Sequence, residues 1–168
     1  MSSQLEQAKQ PVSRILAGPY GHPFHPILVT VPIGAWLCSL VFDIASHVVD
    51  DPAFLTRASV WLIGIGVLGA LAAAAVGFLD LIVIPSGTRA YRTGLLHMSL
   101  NLVVTGAYIA NFYWRQGDYA GAVGIGPLIL SAVSFAALGA SGYLGGMLAY
   151  HYGVRVAGES TQAEGFGS

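Results

Sequence analysis

The chain has 168 residues, of which 55% are hydrophobic and 9% charged, with seven Lys and Arg against eight Asp and Glu. The length suits one domain, but a water-soluble domain carries roughly a quarter of its residues as charges, so composition excludes a water-soluble monomer. The near balance of charge leaves no basic field for a phosphate backbone and excludes nucleic acid as a partner.

Residues 1–20 read as a polar N-terminal segment. Met1 to Arg14 carry Glu6 and Lys9 and lack the apolar core of a cleavable secretion signal, so the first hydrophobic helix is expected to act as the membrane signal. In Gly21-His22-Pro23-Phe24-His25-Pro26 each histidine precedes a proline, which disfavours helix at both. A polyproline segment has three residues per turn and would project His22 and His25 from one side, like two ligands offered together. The plainer alternative is that the prolines open the first helix and the histidines sit at the interface.

A helix needs about 20 apolar residues to cross a hydrocarbon core of about 30 Å. Four stretches meet that length: Pro26 to Val48, Ser59 to Ile84, Gly94 to Trp114, and Ala122 to Tyr150. The connectors hold Asp50-Asp51-Pro52, Pro85-Ser86-Gly87 and Gln116-Gly117-Asp118, the breakers and charges of loops. Short connectors favour an up-down-up-down arrangement. The expected fold is an all-α integral membrane protein, a four-transmembrane-helix up-down bundle over residues 21–156, followed by a polar, Gly-rich tail, 157–168, expected to be disordered. No convincing internal repeat is apparent.

With four spans, both termini and the Gly87 connector share one side. That side carries Lys9, Arg14, Arg89, Arg92 and Arg155, against Arg57 and Arg115 opposite, so the positive-inside rule puts the termini in the cytoplasm. His22, His25 and His151 fall at that face, with His97 and Asp80 about one turn inside it. His47 lies at the far end of the first span, where a local pair with Asp43 four residues earlier is expected.

On the third span Gly94, His97, Asn101, Thr105 and Tyr108 recur at three- and four-residue steps, a polar stripe that must face protein because unpaired polar groups in hydrocarbon are costly. On the second, Gly66, Gly69, Ala73 and Gly77 lead to Asp80 along a small-residue face suited to close approach. Ser131, Ser134, Ser141, Gly142, Gly145 and Gly146 suit close packing on the fourth. Trp36, Trp61 and Trp114 read as packing or interface anchors, and Cys38 as a small buried hydrophobe. No Ser-His-Asp order, paired carboxylates or phosphate loop stands out.

Gly21-His22-Pro23-Phe24-His25-Pro26, Pro32-Ile33-Gly34, Asp43, Gly87-Thr88-Arg89 with His97, and Gly142-Tyr143-Leu144-Gly145-Gly146 with His151-Tyr152-Gly153-Val154 resemble a family of bacterial membrane proteins catalogued as domain of unknown function 2231. The resemblance covers roughly His22 to Val156. It implies four membrane helices and a bacterial inner membrane, and some relatives are joined to iron-sulfur electron-transfer domains. Family members usually carry an acidic residue after the paired glycines, where this chain has Met147, so any role of that carboxylate does not carry over.

Three functions are compatible with these residues. A b-type haem held between two histidines would serve electron transfer, because two axial imidazoles leave no open position for oxygen chemistry. His97 is the first candidate ligand, with His22, His25 or His151 as partner, and Arg89 and Arg92 could meet the propionates. Without a Cys-x-x-Cys-His motif the haem would not be covalently attached. Alternatively His22, His25, His97, His151 and Asp80 could hold a zinc, copper or iron ion, or Asp80 could orient a histidine. The third function is a noncatalytic accessory subunit of a membrane complex. The bilayer is the partner in every case, with a redox partner protein or an oligomer as further expectations.

Overall fold

The structure, a computed structural model, describes residues 3–12, 18, 21, 23–117 and 119–167. All regular elements among them are helical: α1 (Ser3–Lys9), α2 (Phe24–Leu28), α3 (Thr30–Ala45), α4 (Ala53–Ile82), α5 (Arg89–Trp114), α6 (Ile125–Gly146), a π-helical segment (Met147–His151) and α7 (Glu159–Glu164). Four stretches are long and apolar enough to cross a membrane: Phe24–Ala45, Ala53–Ile82, Arg89–Trp114 and Ile125–His151. The chain is a multi-pass membrane protein with the expected four-helix architecture.

Capping and proline decide where the spans begin and end. The segment around His25, expected to be extended, is helical from Phe24, because Pro26 falls in the first turn, where its missing N–H would have had no partner. Pro32 cannot donate to the Leu28 carbonyl, and the run is interrupted at Val29 between α2 and α3. α4 starts at Ala53, ahead of the expected Ser59, since Thr56 turns inward and donates to the Gly121 carbonyl at 2.8 Å. α5 starts at Arg89 rather than Gly94 because the Thr88 hydroxyl accepts from the Tyr91 N–H at 3.1 Å. With 30 residues, α4 is about 45 Å long and outspans the hydrocarbon core, so it tilts or its ends stand among headgroups.

The bundle closes as a ring in which α3 packs along α4, α4 along α5, α5 along α6, and α6 against α3. At its centre lie Trp36, Ile63, Val104 and Tyr108. The Trp36 indole stacks on the Tyr108 ring with centroids 4.0 Å apart and planes 10° from parallel, and its N–H donates to the Ile63 carbonyl at 3.3 Å. The glycine face of α4 is the wall against which α2 and α3 pack: a Cβ on Gly66 would run into the Trp36 indole, and one on Gly69 would lie 2.6 Å from Val31. The outside is apolar, with Trp61, Leu68, Val103 and Trp114 exposed, as a surface facing lipid must be. Cys38, expected to be buried, is on that outer surface, because the inward face of α3 is taken by Ala35, Trp36, Ser39 and Asp43.

At the end where both termini lie, Ala8 of α1 packs with Leu81, Ile84 and Val154. The Arg155 N–H donates to the Ala8 carbonyl at 3.1 Å. Within the tail, Glu159–Glu164 form the exposed helix α7.

Replacing Gly66 with Ala should push the indole off Tyr108 and lower stability by about 1–3 kcal/mol, the usual cost of overpacking. Gly106, whose Cβ would meet nothing within 4 Å, should instead tolerate Ala or gain slightly from its helix propensity. Thermal unfolding of the two variants in detergent separates these outcomes.

Candidate functional site

Two of the expected histidines come together inside the bundle. His25 sits in the first turn of α2 and His97 in the third turn of α5, with ring centroids 6.2 Å apart and ring planes at 84°. Both are partly buried and both are held in the same way. The His25 Nδ1 lies 2.9 Å from the Ala73 carbonyl oxygen on α4, and the His97 Nδ1 lies 2.9 Å from the Ser141 carbonyl oxygen on α6. A carbonyl only accepts, so each Nδ1 carries the proton and each Nε2 keeps its lone pair. One turn after each carbonyl stands a glycine. A Cβ on Gly77 would lie 2.7 Å from the His25 Nδ1, and one on Gly145 would lie 3.2 Å from the His97 Cε1. The glycines therefore give the imidazoles room to reach the carbonyls.

The surroundings of His97 add two polar side chains. The Ser141 hydroxyl lies 3.0 Å from the His97 Nδ1, but with that nitrogen donating to a carbonyl, the serine has no general base and a Ser-His nucleophile does not arise. The Asn101 amide nitrogen donates to the His97 carbonyl at 2.9 Å and passes 3.2 Å from Nε2 and 3.5 Å from Nδ1. With Nδ1 donating to a carbonyl, Nε2 is the ring nitrogen that can accept from this amide, and a ligand at Nε2 would displace that contact.

The other expected residues are placed differently. Asp80 pairs with Arg155 at 2.9 Å and lies close enough to His25 for the two to interact electrostatically. The His151 ring is exposed and packs against Tyr152 at 4.9 Å. Arg89 and Arg92 are exposed on the first turn of α5, at the same end as the histidine pair. His22 lies outside the described residues. Among the described residues no group of three or more His, Cys, Asp or Glu side chains is close enough to hold a metal ion.

A second polar cluster, at the opposite end of the bundle, escaped the sequence reading. The Asp43 carboxylate is bound by both Arg115 terminal nitrogens, at 2.6 and 2.7 Å, and accepts from the Ser59 hydroxyl at 2.5 Å. The rest of the guanidinium is used up by Asn111, Ser131 and the Pro127 carbonyl. Asp43 is 0% exposed and Arg115 4%, and among the described residues no buried side-chain polar atom lacks a partner. The expected Asp43–His47 pair is not formed. His47 lies beyond the end of α3 and is exposed, while Asp43 points inward. The signal was in the sequence: the α5 stripe continues past Tyr108 to Asn111 and Arg115 at the same steps, so this arginine faces the bundle.

Fold and sites together define a four-helix membrane protein with a histidine pair near one end and a closed ion pair at the other. Residues 21–158 match a family described as predicted membrane protein (DUF2231), and the chain belongs to that family. No curated protein and no solved structure matches the chain.

Replacing Arg115 with Ala would leave the Asp43 carboxylate buried and unpaired, and stability should fall by about 3–5 kcal/mol. Loss of the Asn111 amide, a single hydrogen-bonding group, should cost about 1–3 kcal/mol, and loss of the exposed Arg57 almost nothing. Unfolding of the three alanine variants in detergent gives the ranking, and an Arg115→Ala protein as stable as Arg57→Ala would remove the pair from the fold's supports.

Proposed function

We propose that the chain is a small membrane cytochrome that holds a b-type haem between His25 and His97 and serves electron transfer. The supporting observation is the pair itself: two neighbouring imidazoles, each fixed through Nδ1–H to a helix carbonyl. Ligand histidines are characteristically anchored through the other ring nitrogen in this way. The two rings lie 6.2 Å apart, and His25 and His97 are the residues that would hold the group.

Two clustered donors are enough for a haem. A zinc or copper site takes three or four ligands from the protein, whereas a haem iron already has four from its macrocycle and needs two. The described residues offer two clustered donors, and His22, three residues before His25, lies outside them. Haem, when bound, supplies reversible one-electron exchange. The chain's own residues fix the imidazoles, present the glycine-lined walls of α4 and α6, and carry Arg89 and Arg92 at the end where propionates would emerge.

The orientation belongs to the same proposal: a bacterial inner membrane with both termini in the cytoplasm. Arg115 is sequestered by Asp43, and Arg155 is paired with Asp80. Arg89 and Arg92 remain exposed at the histidine end, against Arg57 at the other, which is the asymmetry the positive-inside rule reads.

Detergent-purified protein should be red, with a Soret band and about one haem per chain, and both His25→Ala and His97→Ala should lose most of it while still inserting. Colourless protein with stoichiometric metal would favour the bare-ion site, and colourless metal-free protein an accessory subunit. For the orientation, cysteines introduced at Ser3 and Ser160 should resist an impermeant thiol reagent in intact cells; labelling of both would reverse it.

A further inference from the structure

Residues with matching places in the bundle are evenly spaced in the chain. His25 and His97, Trp36 and Tyr108, Ser39 and Asn111, Asp43 and Arg115, and Ser59 and Ser131 are each separated by 72 positions, as are Gly34-Ala35 and Gly106-Ala107. Toward the ends of α4 and α6 the separation becomes 68, in Ala73 with Ser141 and Gly77 with Gly145. The difference of four residues is about one helical turn.

The interactions repeat with the positions. His25 is 2.9 Å from the Ala73 carbonyl, and His97 is 2.9 Å from the Ser141 carbonyl. Ser59 bonds Asp43, and Ser131 bonds Arg115, each 16 residues further along. α3 packs on α4 as α5 packs on α6. Three of the pairs also touch their own counterparts: the His25 and His97 rings at 6.2 Å, Trp36 and Tyr108 stacked at 4.0 Å, and Asp43 and Arg115 bridged at 2.6 Å. In a two-fold arrangement a residue meets its own counterpart only on the axis.

We infer that the chain is two copies of one helical hairpin, α2–α4 and α5–α6, related by a pseudo-two-fold axis running along the bundle, and that the histidine site is a two-fold site on that axis, with one donor from each copy. This inference departs from the expectation of no internal repeat. Both hairpins begin at the same end of the bundle, so the axis lies along the membrane normal, as in transporters built from parallel repeats. A ligand on such an axis presents equivalent positions to both imidazoles, as an iron at the centre of a flat macrocycle does. This part rests on the proposed function, whereas the repeat itself does not.

The test is an exchange of counterparts in the full-length protein, read by thermal unfolding in detergent, which requires no ligand. Asp43→Arg and Arg115→Asp alone should each lower the unfolding temperature sharply, by putting like charges on the axis. Combining both with Ser39→Asn and Asn111→Ser should recover most of the loss, since each half then carries the other's polar set. The milder exchange of Trp36→Tyr with Tyr108→Trp should stay near wild type, although either single change should not. Failure of both exchanges to improve on their single variants would overturn the repeat. Recovery in a protein that binds no haem would keep the repeat and remove the cytochrome. In a haem-binding protein, His25→Ala and His97→Ala should reduce occupancy by similar factors, and a large inequality would remove the on-axis site.

Discussion

A carboxylate and a guanidinium buried in a bundle surrounded by hydrocarbon lose their hydration, and their mutual attraction repays that loss only when every remaining donor and acceptor is also used. Asp43 and Arg115 meet that condition through Ser59, Asn111, Ser131 and the Pro127 carbonyl, which between them tie all four membrane helices together. Asp43 belongs to α3, Ser59 to α4, Asn111 to α5 and Ser131 to α6. Lipid supplies no hydrophobic drive for helices to associate, so a fully satisfied polar knot with a definite geometry fixes helix rotation and register in a way that apolar side chains facing apolar lipid cannot. The inward direction of the α5 stripe, and with it the position of His97, follows from that rotation.

The histidine end uses weaker means. Each ring is steered by one carbonyl and one missing Cβ, and the polar atoms left over are ring nitrogens that can accept a further bond. The contrast between the two clusters carries the functional argument. At the far end no bonding capacity remains and the arrangement is explained by stability alone, whereas at the histidine end donors are aligned and capacity is left unused.

Much of this was legible in the sequence. Hydropathy located the four spans, since crossing hydrocarbon leaves no alternative to apolar helix, and the three- and four-residue steps of α5 identified its inward face. Helix ends were missed by several residues where a local cap such as Thr88 or an inward Thr56 outweighed average polarity. Asp43 was assigned to His47 because spacing along one helix reveals only neighbours on that helix, and its true partner lies 72 residues away on another. For His25 the bias against helix before proline was set against prolines that open a helix, and the structure takes the second course. The repeat was hidden because several positions that preserve it do so by role rather than identity, with Trp opposite Tyr and Ser opposite Asn, and because the one-turn difference between α4 and α6 breaks the spacing.

The two ends of the inferred axis have diverged to different extents, and the difference has a physical reason. Two identical hairpins would place two copies of one residue against each other at every level of the axis. At the level of Asp43 and Arg115, identical residues would be two carboxylates or two guanidiniums, each costly beside its own kind in a medium that screens little. Only a fused chain, in which the halves can differ, permits the opposite charges that close that end. At the level of His25 and His97 the halves have kept the same residue, the same carbonyl anchor and the same glycine. Two neutral imidazoles gain nothing from each other that other packed side chains would not supply, so packing alone does not require identity there. The proposed site, which takes one donor from each half, does.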